Sequence, residues 1–197
     1  MTAPSTYTAF DGSCRIASGP LPEVTLAVKQ AIDGGAAGPV LTYDDATGRV
    51  VDLDINGAPA DAVARVTPEP DSAEEPATAG ARGRGRPKLG VVAREVTLLP
   101  RHWEWLNSQP GGASVALRKL VEEARRVSAG ADRLRQAREA AYHFMAAAGG
   151  DLPGYEEAIR ALFAGDRGRV VGCLAAWPPD LRDHALKLGF PDEREAA

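Results

Sequence analysis

The chain has 197 residues, 44% hydrophobic and 25% charged, which is enough for one domain or two small ones. Its 21 glycines and 15 prolines imply a good deal of non-regular chain. A formal net charge of −4 would exclude a polyanionic partner only if the charge were spread evenly, and it is not. Residues 1–80 hold 4 basic and 12 acidic side chains, residues 81–138 hold 13 and 5, and residues 139–197 hold 6 and 10. A polyanion would meet the local net +8 of the middle segment, because charges beyond a Debye length of roughly 8 Å are screened.

Cys14 and Cys173 are the two cysteines, and neither forms a CxxC pair or a metal-ligand spacing with His102, His143 or His184. No metal or cofactor is expected, and a reducing cytoplasm is the simplest setting. Met1 to Thr6 lacks the basic and apolar regions of a signal peptide. No apolar run approaches the roughly 20 residues of a membrane helix. The expectation is a cytoplasmic chain without a membrane partner.

In chain order, the N-terminal third predicts a small ββαββα unit over residues 1–66. Thr6 to Phe10 and Cys14 to Ala17 flank Asp11-Gly12, a strong type I′ hairpin signal, since glycine tolerates the positive φ that this turn requires. Pro22 to Ile32 places Val24, Ala27, Val28, Ala31 and Ile32 at helical spacing and stops at Gly34-Gly35. Val40 to Tyr43 and Arg49 to Ile55 bracket a loop ending in Gly48, and Ala60 to Val66 reads as a short helix. The acids Asp44, Asp45, Asp52 and Asp54 suit a solvated loop and a strand's polar face better than a cation site, because the EF-hand spacing is absent. Residues 67–81 are rich in proline, alanine and acids, and are expected to be a disordered linker.

Residues 82–88 form a basic arm, Arg82-Gly83-Arg84-Gly85-Arg86-Pro87-Lys88. It resembles an AT-hook, with Arg84, Gly85, Arg86 and Pro87 as the core; side-chain-free glycine lets the backbone enter a narrow A/T minor groove while guanidinium groups follow its floor. A solvated basic linker, or an RNA-binding arginine-glycine run, is the competing reading. Residues 89–128 predict a strand at Val91 to Leu99, a short helix His102 to Asn107 started by Pro100, a Pro110-Gly111-Gly112 break and a second helix. Ser114 is the expected N-cap of that second helix, with Leu117, Leu120, Val121 and Ala124 as its apolar stripe.

This order resembles a ribbon-helix-helix domain. The resemblance implies an obligate homodimer in which the two strands pair in the major groove and Ser114, at a helix N-terminus, holds a phosphate. Expected DNA contacts are therefore Arg82, Arg84, Arg86, Lys88, Arg94, Thr97, Ser114, Arg118 and Lys119. Val96 and Leu98 are expected inward, which turns Glu95 and Thr97 toward DNA, an awkward place for a carboxylate. A helix-turn-helix over Pro100 to Arg126 is the local alternative, entering the groove through Arg118 and Lys119.

Residues 129–197 predict a short-helix bundle: Ala131 to Ala148, Leu152 to Ala164, Arg169 to Ala176 and Pro179 to Leu188. Leu162, Phe163, Val170, Leu174, Trp177, Leu181, Leu186 and Leu188 are its expected core. His143 and His184 read as core or rim rather than acid-base groups. Across GRPKLGVVAREVTLLPRHW, QPGGASVALRKLV and LPGYEEAIRALFAGD, the chain also resembles a bacterial family known as domain of unknown function 2239. That resemblance implies a bacterial origin and no activity. The sequence thus predicts an α+β chain that binds duplex DNA, A/T-rich for preference, as a transcriptional regulator or nucleoid-associated protein. The alternative is an antitoxin-like interaction module of unknown partner, and no motif predicts an enzyme.

Overall fold

A computed structural model describes residues 5–67, 92 and 94–191. Among them run β1 (Tyr7–Asp11), β2 (Cys14–Gly19), α1 (Leu21–Asp33), β3 (Val40–Asp44), β4 (Val50–Val51), α2 (Pro59–Val66), α3 (Pro100–Ser108), α4 (Gly112–Gly149), α5 (Tyr155–Ala164), α6 (Arg167–Cys173) and α7 (Pro179–Gly189). The arrangement is mixed α+β, with a four-stranded antiparallel sheet of order β2-β1-β3-β4. The described parts of residues 1–68 and 131–197 form one compact unit, and those of 69–130 form a second.

In the first unit the sheet is covered on both faces, and strand alternation decides which residue serves which face. Ala9 on the central strand β1 packs with Val24 and Val28 of α1. Its neighbour Phe10 points the other way, into a core built with Tyr43, Ala141, Phe144, Met145, Leu162, Leu174, Trp177 and Leu181. The sheet and the tail, which the sequence places in separate segments, therefore share one core. No local pattern announces this, because an alternating strand shows only that two faces exist.

Turn chemistry sets the sheet's edges. Gly12 takes φ +57° in the first hairpin, and the Asp11 carboxylate accepts from the amides of Ala37 (2.9 Å) and Gly38 (2.6 Å). Asp11→Ala leaves those two donors without their acceptor and is expected to cost about 1–2 kcal/mol in urea unfolding; a change within experimental error would show that water replaces the carboxylate. The predicted strand Arg49 to Ile55 shortens to Val50–Val51. Beyond it Leu53 and Ile55 leave the ladder to pack on the Ala9–Val24–Val28 cluster.

Most of the predicted bundle core is buried, with one correction. Phe163 is 50% exposed, because it lies about 100° around α5 from the buried Leu162. Gly149 lets the Trp177 indole close on α4, since a β-carbon there would lie 2.4 Å from the ring. The indole nitrogen donates to the Pro153 carbonyl at 2.9 Å.

In the second unit α3 begins at Pro100, whose fixed φ suits a first turn. Two expectations need correction. The two helices predicted at Ser114 onward and at Ala131 to Ala148 are one 38-residue helix, α4. Gly130 lies inside this helix; a helical glycine costs only about 1 kcal/mol against alanine, less than ending two helices with unsatisfied backbone groups. Ser114 is not an N-cap either: the helix starts at Gly112, so Ser114 lies within its first turn. Residues Arg94 to Leu99 carry no strand in the single chain, and a strand is defined by hydrogen bonds to a neighbour. The linker and the basic arm, from residue 68 through 91, fall outside the described residues.

Candidate nucleic-acid interface

The predicted contacts that can be located lie in the second unit. Arg94 and Thr97 are exposed ahead of α3, and Ser114, Arg118 and Lys119 are exposed on the first turns of α4. Helical spacing brings Arg118, Lys119 and Arg126 onto one face with Glu122 and Glu123, lining an open concavity of about 490 Å³. The Arg118 Nε donates to the Ser114 carbonyl at 3.1 Å, so those two predicted residues are in direct contact. Arg125 pairs with Glu122 at 3.0 Å and Arg126 pairs with Glu123. These guanidinium groups stay about three-quarters exposed, and such i,i+3 pairs contribute only a few tenths of a kcal/mol. They can be exchanged for phosphate oxygens. Arg126 was not among the predicted contacts, although its spacing of seven and eight residues from Lys119 and Arg118 signals the shared face. Arg82, Arg84, Arg86 and Lys88 lie outside the described residues.

Beside the cations the same unit exposes large apolar side chains. Only Leu106 and Ala116 are buried there among the described residues. Val96 (55% exposed), Trp105 (52%), Leu120 (47%), Val121 (54%) and Val127 (75%) are open. Val96 is therefore not inward in the single chain. In the sequence stripe of Leu117, Leu120, Val121 and Ala124, Leu117 is half-buried and the other three are exposed. These side chains lie on three stretches, the segment before α3, α3 itself and α4.

The first unit holds a buried histidine whose ionisation its surroundings oppose. His184 is 1% exposed and is packed edge-on by Phe144 (4.7 Å between ring centres) and Phe10 (5.5 Å). Its Nε2 is 3.5 Å from Asp45 Oδ1, and neither ring nitrogen has a hydrogen-bond partner among the described residues. Burial lowers its pKa from 6.5 to about 4; Asp45 opposes that shift, and Lys187 and Arg15 add to it. The ring is thus neutral near pH 7, and its contact with Asp45 is not an ion pair. Asp45, expected in a solvated loop, is instead largely buried, with Oδ2 accepting from Thr6 Oγ1 at 3.2 Å and Lys187 Nζ at 3.3 Å. His184 is a core histidine.

Among the described residues no three His, Cys, Asp or Glu side chains are placed to share a metal ion, and no helix is long and apolar enough to cross a membrane. A family model described as "Uncharacterized protein conserved in bacteria (DUF2239)" matches residues 6–189. Comparison with curated proteins and with solved structures gave no match.

Proposed function

We propose that this chain, which belongs to the uncharacterised bacterial family DUF2239, is a homodimeric DNA-binding protein, acting as a transcriptional regulator or nucleoid-associated protein. One observation carries the reading. The segment with net +8 also exposes the large apolar side chains Val96, Trp105, Leu120, Val121 and Val127, which a second copy would cover. In this reading residues 91–99 pair with their counterpart as a β-ribbon, the ribbon-helix-helix arrangement. The free amides in the first turn of α4 and the Arg118–Lys119–Arg126 face meet phosphates. The AT-hook-like arm, Arg82 to Lys88, adds minor-groove contacts and a preference for A/T-rich duplex.

Gel shifts of the full chain on A/T-rich and G/C-rich duplexes test this reading. Binding should be measurable at about 0.15 M salt, weaken steeply as salt rises, and favour the A/T-rich duplex. Arg84→Ala with Arg86→Ala should lower the slope of log K against log salt by about 2, one unit for each cation lost from the interface. No shift on either duplex at low salt would end the proposal.

A further inference from the structure

We infer that the cleft between the β3–β4 loop and the second half of α4 binds a phosphoryl group, with Arg49 as anchor and His143 as second donor. The two residues are 94 positions apart in sequence and meet at 3.3 Å, guanidinium Nη2 to imidazole Nε2. The loop cannot do otherwise than lie close: Gly48, at φ +66°, is pressed so tightly to α4 that a β-carbon would fall 1.8 Å from the Ala140 carbonyl oxygen. Asp44 stiffens the loop by accepting from the Ala46 amide at 2.9 Å and the Thr47 hydroxyl at 3.0 Å. Around this pair lies an open cavity of about 270 Å³ lined by Ala46, Thr47, Arg49, Gln136, Glu139 and His143, with Ala140 at its side.

The chemistry points to an oxyanion. Among the described residues Arg49 makes no ion pair, and the imidazole is its only side-chain hydrogen-bond partner. A guanidinium carries five donors in a planar fork, and one contact to a ring nitrogen leaves the others to solvent, where an anion can replace water. A phosphate oxygen entering between the two would accept from the guanidinium on one side. On the other it would accept from His143 Nε2–H, in the form of the ring that carries a proton there. The Gln136 amide lines the same space and can donate. Glu139 opposes the anion, held only weakly by Arg135 at 4.0 Å. This like charge makes the proposal sharply testable, because a phosphate and a ligand carrying an ammonium group would respond oppositely to its removal.

Titration calorimetry of the full chain with sodium phosphate, against sodium chloride of equal ionic strength, is the test. Wild type should bind phosphate, Arg49→Gln should weaken binding about tenfold or more, as expected for a lost charge-assisted pair, and His143→Phe should weaken it less. Glu139→Gln should strengthen it. Because Arg49 and Glu139 are exposed, both variants are expected to fold, which thermal melts would verify. No phosphate-specific heat in wild type, or equal binding by Arg49→Gln, overturns the site. Gel shifts with Arg49→Gln then identify the source of the phosphoryl group. Unchanged duplex affinity assigns it to a small phosphorylated compound, and lost affinity assigns it to a nucleic-acid backbone. Arg49, Glu139 and His143 lie outside residues 81–138, so the failure of this site and that of the DNA-binding reading are separate results.

Discussion

Phe144→Ala is expected to destabilise the first unit by about 3–5 kcal/mol, the usual range for removing a fully buried aromatic ring. The size follows from position. Phe144 is 0% exposed and touches both layers, with ring centres 5.5 Å from Phe10 and 4.9 Å from Tyr43 on the sheet, and 4.7 Å from His184 on α7. Aromatic pairs add about 0.5–1.5 kcal/mol beyond area burial, and three of them end here. Truncation leaves a void that the sheet and the helices would have to close from opposite sides. Phe163→Ala is the control: that ring is 50% exposed, and its loss should cost under about 1 kcal/mol. Urea midpoints for both variants decide the matter. Similar small losses would mean that the sheet and the tail do not share one core.

Acid should unfold the first unit through His184. The folded state lowers this pKa from 6.5 to about 4, chiefly by burial, so between those values the unfolded chain binds the proton and the folded one does not. Stability from the neutral ring is complete above pH 6.5 and is lost as pH falls from 6.5 toward 4. That loss amounts to about 3 kcal/mol at 1.36 kcal/mol per pH unit. Below pH 4 both states carry the proton and the slope from this group ends. Asp45 limits the loss, since its carboxylate is 3.5 Å from Nε2, while Lys187 and Arg15 deepen it. His184→Gln should flatten the curve of unfolding free energy against pH over this window, whatever its offset at pH 7. An acid limb of unchanged slope would place the titrating group elsewhere.

Local signals carried the sheet and the helices well, because turn and cap residues act over a few positions. Asp11-Gly12, Gly34-Gly35 and the prolines at 100 and 179 all sit at element ends. Long-range relations were not legible in the same way. Phe10 and Tyr43 find α4 and α7 across more than 90 residues of chain, and Asp45 is drawn from its loop to the His184 ring. The split between residues 128 and 131 failed for an energetic reason: the cost of Gly130 within a helix is small and local, whereas continuity of α4 keeps a full hydrogen-bond ladder. At the candidate interface, Arg118 and Lys119 were legible as exposed helix cations. The Arg49–His143 contact was not, because it depends on Gly48 lying against Ala140. Nothing in the spacing of those residues foretells it.

Sedimentation velocity of the full chain with a labelled A/T-rich duplex of about 20 base pairs most directly tests whether two copies meet DNA through the basic middle segment. The expected result is a dimer without DNA and a complex of two chains per duplex, dissociating as salt rises. A monomer that leaves the duplex sedimenting alone at low salt would contradict the account.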